Sequence, residues 1–284
     1  MPPAILFPGQ GASVAGSAPL AEQHCADLLT RARQRLGDDP FERAGDSTQF
    51  AQPAIFLASL AGWRSIREDV EPRAFAGHSL GEITALVAAG ALSDRAGLDL
   101  VIRRASLMAE AAQVQGDGGM LAVLKGTPAD AQRLAEEQAV SVANDNGEGQ
   151  TVLSGSREAL RRAAGSARER GLRAIALDVT GAFHSPAMAP AVEPLRETLR
   201  AVRLTAPSAP VYSGLTARPF GDVPAELARA VCAPVRWRET MLALDRLGID
   251  TYIDVGPDEI LARLVERNLL GRTVRRIQDT RVAA

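Results

Sequence analysis

The sequence predicts an α/β protein in which a large parallel-sheet domain carries a small inserted domain. Short apolar segments alternate with helical patterns in both outer parts of the chain, which is typical of a parallel sheet. The segment Gly77-His78-Ser79-Leu80-Gly81 follows one of these strands, as at a sharp strand-to-helix turn. Between residues 118 and 180 the order changes to strand, helix, strand, strand, helix, strand.

The outer parts of the chain contain the strands and helices of the large domain. Ala4–Phe7 is predicted as the first strand because it is short and continuously apolar, as a strand buried on both faces should be. Pro72–Ala76 is a weaker strand directly before the glycine-flanked serine, and Val211–Ser213 and Thr251–Val255 are later ones. Apolar periodicity predicts the helices, which are Ala21–Leu36, Gln52–Glu68, Glu82–Ala91 and Ala96–Gln113.

The middle of the chain has its own pattern. Its predicted strands are Met120–Leu124, Ala139–Ala143, Gln150–Ser154 and Leu172–Val179, and its predicted helices are Pro128–Gln138 and Arg157–Arg170. This β-α-β-β-α-β order is ferredoxin-like. We therefore predict an α/β-hydrolase-like domain formed by residues 1–117 and 181–284, with a ferredoxin-like domain inserted at residues 118–180.

Composition excludes several function classes. The 284 residues are 46% hydrophobic and 23% charged, which is typical of a globular protein and not of a disordered one. With 32 basic and 34 acidic residues the net charge is −2, so overall charge gives no support for nucleic-acid binding. Two cysteines, no signal-peptide pattern and no apolar run of roughly 20 residues predict a cytoplasmic protein with no membrane partner.

The Gly-x-Ser-x-Gly segment makes Ser79 a candidate nucleophile. A serine at such a turn has a strained backbone, and the residues two before and two after it must be small because they approach each other closely. The turn also places the serine at the N-terminus of a helix, where free N–H groups and the helix dipole stabilise a developing negative charge.

A serine hydroxyl needs a base at neutral pH, and the chain has three histidines. His24 lies in a polar helical stretch and is expected to be a solvated surface residue. His78 adjoins the serine, but adjacent side chains at such a turn usually diverge. His184 lies where the chain re-enters the large domain, at the edge of an expected cleft, so it is the best candidate base by elimination. A capping or packing role for His184 stays open.

The loop Phe7-Pro8-Gly9-Gln10-Gly11 is the third candidate feature. It follows the first strand, as the oxyanion-hole loop does in sheet-based acyl-transfer enzymes. Its glycines allow the backbone to approach a ligand closely. An ordinary β-turn is the alternative interpretation.

Taken together, these segments resemble the malonyl-CoA:acyl carrier protein transacylases, a family that includes the fatty-acid synthase transacylase and the acyltransferase domains of polyketide synthases. The resemblance spans nearly the whole chain. The chain departs from the family pattern at Gly214 and at Asp258-Glu259. The matching segments are Phe7-Pro8-Gly9-Gln10-Gly11, Gln52-Pro53-Ala54, Gly77-His78-Ser79-Leu80-Gly81-Glu82, Arg104, Gly181-Ala182-Phe183-His184-Ser185, Pro234-Val235-Arg236-Trp237 and Val255-Gly256-Pro257.

The resemblance implies a role for each matching residue. It implies that Ser79 takes up the acyl group as an ester, that His184 is the general base, and that the backbone N–H groups of Gln10 and Leu80 form the oxyanion hole. Arg104 matches the arginine that holds the malonate carboxylate, a task suited to a planar and permanently charged guanidinium. Four further residues are implied to line or brace the acyl site, namely Gln52, His78, Asn146 and Phe183.

The resemblance also implies the partners. Malonyl-CoA is the expected substrate, with no bound cofactor and no metal, and the expected acceptor is the phosphopantetheine thiol of an acidic acyl carrier protein. An acidic carrier predicts a locally basic docking surface on this nearly neutral chain. Two arginine clusters are candidates, Arg161, Arg162, Arg168, Arg170 and Arg173 in the inserted domain, and Arg263, Arg267, Arg272, Arg275 and Arg276 near the C-terminus.

Other functions remain open from the sequence. The same nucleophile could serve a carrier-linked acyl hydrolase or thioesterase, although Arg104 argues against simple esters. A transferase for an unusual carrier-bound acyl group and a non-catalytic binding subunit are further alternatives. Within the family, the chain resembles a free-standing acyltransferase that serves a polyketide synthase in trans at least as much as a fatty-acid synthase member.

Overall fold

The computed structural model describes residues 2–277, and its strands form two separate sheets. Residue 1 and residues 278–284, which the predicted large domain includes, lie outside the described residues. The strands are β1 (Ala4–Phe7), β2 (Ala74–Gly77), β3 (Gly118–Leu124), β4 (Ser141–Asp145), β5 (Gln150–Ser156), β6 (Arg173–Ala176), β7 (Val211–Ser213), β8 (Arg218–Pro219), β9 (Thr251–Asp254) and β10 (Thr273–Arg276).

Helices follow most of the strands. A short 3₁₀ helix at Pro186–Met188 precedes α7. The α-helices are α1 (Ala18–Leu36), α2 (Thr48–Arg64), α3 (Gly81–Ala88), α4 (Asp94–Gln115), α5 (Pro128–Gln138), α6 (Arg157–Glu169), α7 (Ala189–Arg200), α8 (Val223–Ala230), α9 (Trp237–Arg246) and α10 (Ile260–Asn268).

The larger sheet has the order β10-β9-β1-β2-β7-β8 and is parallel except for β8, which pairs antiparallel with β7. Its central strand β1 is fully buried, as its unbroken apolar sequence predicts. The carboxyl ends of β1 and β2 lie side by side, with Phe7 opposite Gly77. The loops that follow these two strands are therefore neighbours, and both carry predicted site residues.

The second sheet is antiparallel and has the order β4-β5-β3-β6. Helices α5 and α6 pack against one of its faces through a core of their own. The opposite face, which includes Met120, Ala143 and Val152, packs into the main core. We call residues 118–177 the small lobe and the rest of the described chain the large lobe. The prediction of a mixed α/β protein with a parallel sheet and a separate middle segment is confirmed.

The largest errors in the predicted elements occur in the large lobe. Helix α2 begins at Thr48 rather than at Gln52 and ends at Arg64 rather than at Glu68. Pro53 thus lies inside the helix, where its missing N–H removes a single helical hydrogen bond and does not end the helix. Helices α7 to α10 and strands β8 and β10 were not predicted. No helix within residues 2–277 is long and apolar enough to cross a bilayer.

Candidate active site

Ser79 lies at the turn between β2 and α3, and the turn is as tight as its sequence predicts. Its φ is 53°, in the left-handed region that residues other than glycine rarely adopt. A Cβ atom at Gly77 would lie 1.9 Å from the carbonyl carbon of Gly81, and one at Gly81 would lie 2.0 Å from the Phe7 carbonyl oxygen. Glycine is therefore required at both positions, and the backbone presents Ser79 at the start of α3.

His184 meets Ser79 although 105 residues separate them in the chain. Its Nε2 lies 2.7 Å from Ser79 Oγ, and its Nδ1 lies 2.9 Å from the Ala230 carbonyl oxygen and 3.2 Å from that of Ala233. Both carbonyls can only accept, so Nδ1 carries the ring proton and Nε2 is left free to accept one. His184 also has a left-handed φ of 57°, so both residues of the pair have a strained backbone.

Burial keeps this imidazole neutral. His184 is 5% exposed, and burial together with the positive charge of Arg104 lowers its pKa to about 3. A neutral Nε2 at hydrogen-bond distance from a serine hydroxyl can take the hydroxyl proton as the oxygen attacks. The geometry fits general-base chemistry without a third, acidic residue.

Arg104 approaches the same hydroxyl from α4. Its Nη2 donates to Ser79 Oγ over 2.9 Å, and its Nη1 donates to Gln52 Oε1 over 2.5 Å. Arg104 is 5% exposed, and burial lowers its pKa to about 10, while the nearby Glu82 opposes that shift. Among the described residues, no carboxylate lies within ion-pair distance of this guanidinium. The site therefore holds a buried cation with room for an anionic partner.

A chain of hydrogen bonds holds Arg104 in place. Gln52 Nε2 donates to Thr48 Oγ1 over 2.8 Å, and Thr48 Oγ1 donates to Gln10 Oε1 over 2.7 Å. Gln52 lies behind the cavity, where it braces the guanidinium, whereas Gln10 reaches the cavity wall. Thr48 was missed in the sequence because α2 was predicted to begin four residues later.

The loop that follows β1 lies against the serine turn. A Cβ atom at Gly9 would lie 2.3 Å from the His78 carbonyl oxygen, so only glycine allows this approach. Gln10 thereby comes next to the turn, and Leu80 directly follows Ser79 at the N-terminus of α3. The two backbone segments therefore lie beside Ser79, and their role as oxyanion donors stays a prediction.

His78 and Asn146 form a second buried pair beside the reacting groups. His78 Nε2 lies 2.9 Å from Asn146 Oδ1, and its ring packs 5.5 Å from the ring of Trp237. Burial lowers the pKa of His78, so this ring too is neutral. Asn146 does not line the cavity, and its hydrogen bond positions the ring of His78, which does. The predicted divergence of His78 from the serine therefore agrees with the geometry.

A cavity of about 360 Å³ brings these groups together between the two lobes. Phe183 is one of the residues that line it, and its role in holding the acyl group stays a prediction. Several other lining residues were not predicted, which are Met108, Met120, Asn144, Leu177, Asp178 and Val179. His24 lies on α1, outside the lining of the cavity. In the part of the chain that the structure describes, no cluster of side chains could hold a metal ion.

Glu82 is a buried acid that the sequence analysis did not assign. It is 2% exposed, its Oε1 accepts from the Gly214 N–H over 2.7 Å, and burial raises its pKa to about 8. Glu82 is therefore mostly protonated at neutral pH and does not neutralise Arg104. The signal available in the sequence was a single acidic residue in an otherwise apolar helix, directly after the glycine-flanked serine.

Comparisons with known proteins agree with this geometry. The family described as the acyl transferase domain matches residues 24–283. A malonyl CoA-acyl carrier protein transacylase of Bacillus subtilis is 36% identical over 287 residues, which cover 93% of this chain and 89% of that protein. The polyketide biosynthesis protein ThaF of Burkholderia thailandensis is also 36% identical, and the match covers 94% of this chain but only 24% of that longer protein.

Solved structures have the same fold. A malonyl CoA-acyl carrier protein transacylase from Clostridium perfringens superposes with a TM-score of 0.90 at 29% identity, covering 100% of this chain and 96% of that one. A malonyl-transacylase solved in complex with its type II polyketide synthase acyl-carrier protein gives a TM-score of 0.87 at 30% identity. The match covers 97% of this chain and 96% of that one. The chain therefore belongs to the acyl transferase domain family, among the malonyl CoA-acyl carrier protein transacylases.

Proposed function

We propose that this protein transfers a malonyl group from malonyl-CoA to the phosphopantetheine thiol of an acyl carrier protein, in fatty-acid or polyketide biosynthesis. The position of Arg104 carries the proposal, because its buried guanidinium lies 2.9 Å from the Ser79 hydroxyl and has no carboxylate partner within the described residues. A malonyl group supplies that carboxylate close to the atom that reacts. A neutral acyl group leaves the buried cation unpaired, which is costly.

The first half-reaction acylates the enzyme. His184 Nε2 takes the Ser79 proton while Oγ attacks the thioester carbonyl carbon, and the resulting oxyanion accepts hydrogen bonds from the N–H groups of Gln10 and Leu80. The C–S bond then breaks, His184 returns the proton to the leaving thiolate, and coenzyme A departs. Each oxyanion donor contributes about 3 kcal/mol to lowering the barrier in sites of this kind.

The second half-reaction reverses these steps with a new thiol. His184 takes the proton of the carrier's thiol, the sulfur attacks the ester carbonyl on Ser79, and the serine leaves with the proton. The neutral state of His184 supports both directions, since the same Nε2 must accept and return a proton. No external cofactor enters this balance of bonds and protons.

The shape of the cavity supports a preference for an unbranched acyl group. The buried ring of Phe183 forms part of the wall beside the catalytic pair. We propose that it leaves little room for an α-methyl group. A pocket wall of this kind contributes only about 1–3 kcal/mol per methyl, so it sets a preference and not an absolute barrier.

We also propose a division of the chain into two domains. We assign residues 1–117 and 181–284 to an α/β-hydrolase-like domain and residues 118–180 to an inserted ferredoxin-like domain. The sharp serine turn after β2 supports the first assignment, and the strand order β4-β5-β3-β6 with both helices on one face supports the second. The cytoplasmic location stays a prediction.

The unpaired arginines of the small lobe favour it as the docking surface for an acidic carrier. Carboxylates already pair with Arg263, Arg272 and Arg276 of the C-terminal cluster, which leaves Arg267 and Arg275 without a carboxylate partner within the described residues. On the small lobe, Arg162 and Arg170 are likewise paired. Three exposed arginines of that lobe have no carboxylate partner within the described residues, and these are Arg161, Arg168 and Arg173.

Comparing transfer with hydrolysis tests the proposal. The protein is mixed with malonyl-CoA, with and without a phosphopantetheinylated carrier, and malonyl-carrier, free malonate and coenzyme A are quantified. We expect coenzyme A release to stop after one equivalent without the carrier and to continue when the carrier is present. Continuous release of malonate without the carrier would instead support the acyl hydrolase.

A further inference from the structure

A bulge in the small-lobe sheet turns one side chain toward the cavity. In the pairing of β4 with β5, Val142 faces Leu153 and Asn144 faces Val152, so Ala143 is an extra residue without a partner. Such bulges occur next to active sites, where they redirect a side chain. Residues that face each other lie on the same side of a sheet, and Val152 belongs to the face that packs toward the large lobe. The bulge therefore directs Asn144 toward the cavity, which it lines.

The amide oxygen of Asn144 is left without a partner. Its Oδ1 is enclosed and accepts no hydrogen bond in the part of the chain that the structure describes. The neighbouring side chains are satisfied, since Asp145 binds Arg238 and Asn146 binds His78. A buried acceptor without a partner is costly, and it is satisfied when a ligand in the neighbouring cavity brings a donor to it.

The backbone fixes Asn144 relative to the catalytic pair. The Val235 N–H donates to the Ala143 carbonyl over 2.8 Å, and the Asp145 N–H donates to the Val235 carbonyl over 2.9 Å. The residue two positions before Val235 is Ala233, whose carbonyl accepts from His184 Nδ1. One short segment thus bonds to the backbone on both sides of Asn144 and to the imidazole, so the backbone of Asn144 has a fixed place relative to the reacting atoms.

The chemistry of the thioester identifies the missing donor. Near the reacting carbon, the malonyl carboxylate and the thioester carbonyl can only accept hydrogen bonds, and Arg104 and the oxyanion donors satisfy them. The donor nearest to the sulfur is the amide N–H of the pantetheine arm, which two methylene groups separate from the sulfur. We propose that Asn144 Oδ1 accepts a hydrogen bond from this amide N–H and so positions the arm, a role that rests on the proposed function.

A pair of matched substrates tests this contact. The malonyl thioester of N-acetylcysteamine carries the amide N–H, and its ester analogue has an oxygen in that place with nearly the same shape. Acylation of the enzyme is followed by the release of thiol, and kcat/KM is measured for both substrates. The variants are Asn144→Leu, which removes the acceptor, and Ser141→Ala on the same strand as a control.

We expect wild type and Ser141→Ala to prefer the amide substrate about tenfold, and Asn144→Leu to lose that preference. A ratio near one in the wild type would overturn the assignment, as would a tenfold ratio retained in Asn144→Leu, whether or not its rates fall. The ratio is independent of the fraction of folded enzyme. Failure of wild type to form any malonyl-enzyme from malonyl-CoA would overturn the proposed function itself, and Asn144's role with it.

Discussion

The large lobe and the small lobe line the same cavity with different kinds of side chain. The large lobe contributes Ser79, His184 and Arg104, whose polar atoms bond to one another or to fixed groups behind them. The small lobe contributes the apolar Met120 and an asparagine oxygen that has no partner. The side chains that react are held in place by hydrogen bonds before the substrate binds. The asparagine oxygen that recognises the pantetheine arm gains its hydrogen bond only when the substrate binds.

The two sheets explain this difference. The central strands of the parallel sheet are buried, so Gln10 and Ser79 lie in the loops at the carboxyl ends of β1 and β2, and Arg104 reaches Ser79 from helix α4. The antiparallel sheet is covered by α5 and α6 on one face, and its other face is turned toward the large lobe and reaches the cavity. Changes to Ser79 or His184 in the large lobe should therefore alter the chemistry of every thioester, and changes in the small lobe should alter the recognition of the pantetheine arm or of the carrier protein.

Removal of Arg104 should have the largest effect. In Arg104→Ala, loading from malonyl-CoA should fall on the order of 10³-fold, because a buried charge pair with the substrate carboxylate is lost. Loading from acetyl-CoA should fall far less, so the preference for malonyl is lost. Rapid-quench measurement of the acyl-enzyme checks both rates. Arg103→Ala is the matched control, since this exposed neighbour forms an ion pair with Glu110 at 3.9 Å and does not line the cavity, and an equal loss there would contradict the account.

Glu82 should make stability depend on pH. Its pKa is about 8 in the folded protein against an ordinary value of 4.5, so between these values the folded state holds more protons and stability falls as pH rises. In Glu82→Gln this loss of stability disappears. Between pH 5 and pH 8 the free energy of unfolding of the variant should therefore rise on the order of 3 kcal/mol relative to that of wild type. Urea unfolding of wild type and variant at both pH values measures this difference. Glu110→Gln, at an exposed position, is the control. A constant difference between Glu82→Gln and wild type would contradict the buried neutral carboxyl.

Charge reversal on the small lobe should affect only the carrier half-reaction. In the double variant Arg161→Glu and Arg168→Glu, transfer from the acyl-enzyme to the carrier should slow about tenfold at low salt. Loading from malonyl-CoA should change less than about twofold. Arg162→Glu is the matched control because Arg162 is already paired with Glu158. Equal losses in both half-reactions would place the effect in the catalytic groups and contradict the docking surface.

The smallest expected change is in the pH dependence of loading. Burial lowers the pKa of His184 to about 3, so the base stays neutral and kcat/KM for acylation should vary less than about twofold from pH 5 to pH 7. If the base were an ordinary histidine with a pKa of about 6.5, kcat/KM for acylation would fall about 30-fold at pH 5. A decline in single-turnover acylation with a midpoint near pH 6.5 would contradict the buried neutral imidazole.

Local sequence was enough to predict the serine turn, because the close contacts that require Gly77 lie within five residues, although Gly81 is required by the distant carbonyl of Phe7. Asn144 could not be predicted, because the bulge that turns it depends on the register between β4 and β5. The raised pKa of Glu82 depends on burial by distant elements, among them the loop of Gly214. Burial and strand register are tertiary properties, and hydrophobic periodicity does not contain them.

One hydroxyl, that of Ser79 held by His184 and Arg104, is expected to carry the malonyl group. Intact-mass measurement after incubation with malonyl-, methylmalonyl- and acetyl-CoA, on wild type and on Ser79→Ala, tests it most directly. The account predicts one malonyl adduct on wild type, weaker methylmalonyl and acetyl adducts, and none on Ser79→Ala. A malonyl adduct that persists on Ser79→Ala, or an acetyl adduct that exceeds the malonyl one on wild type, would contradict it.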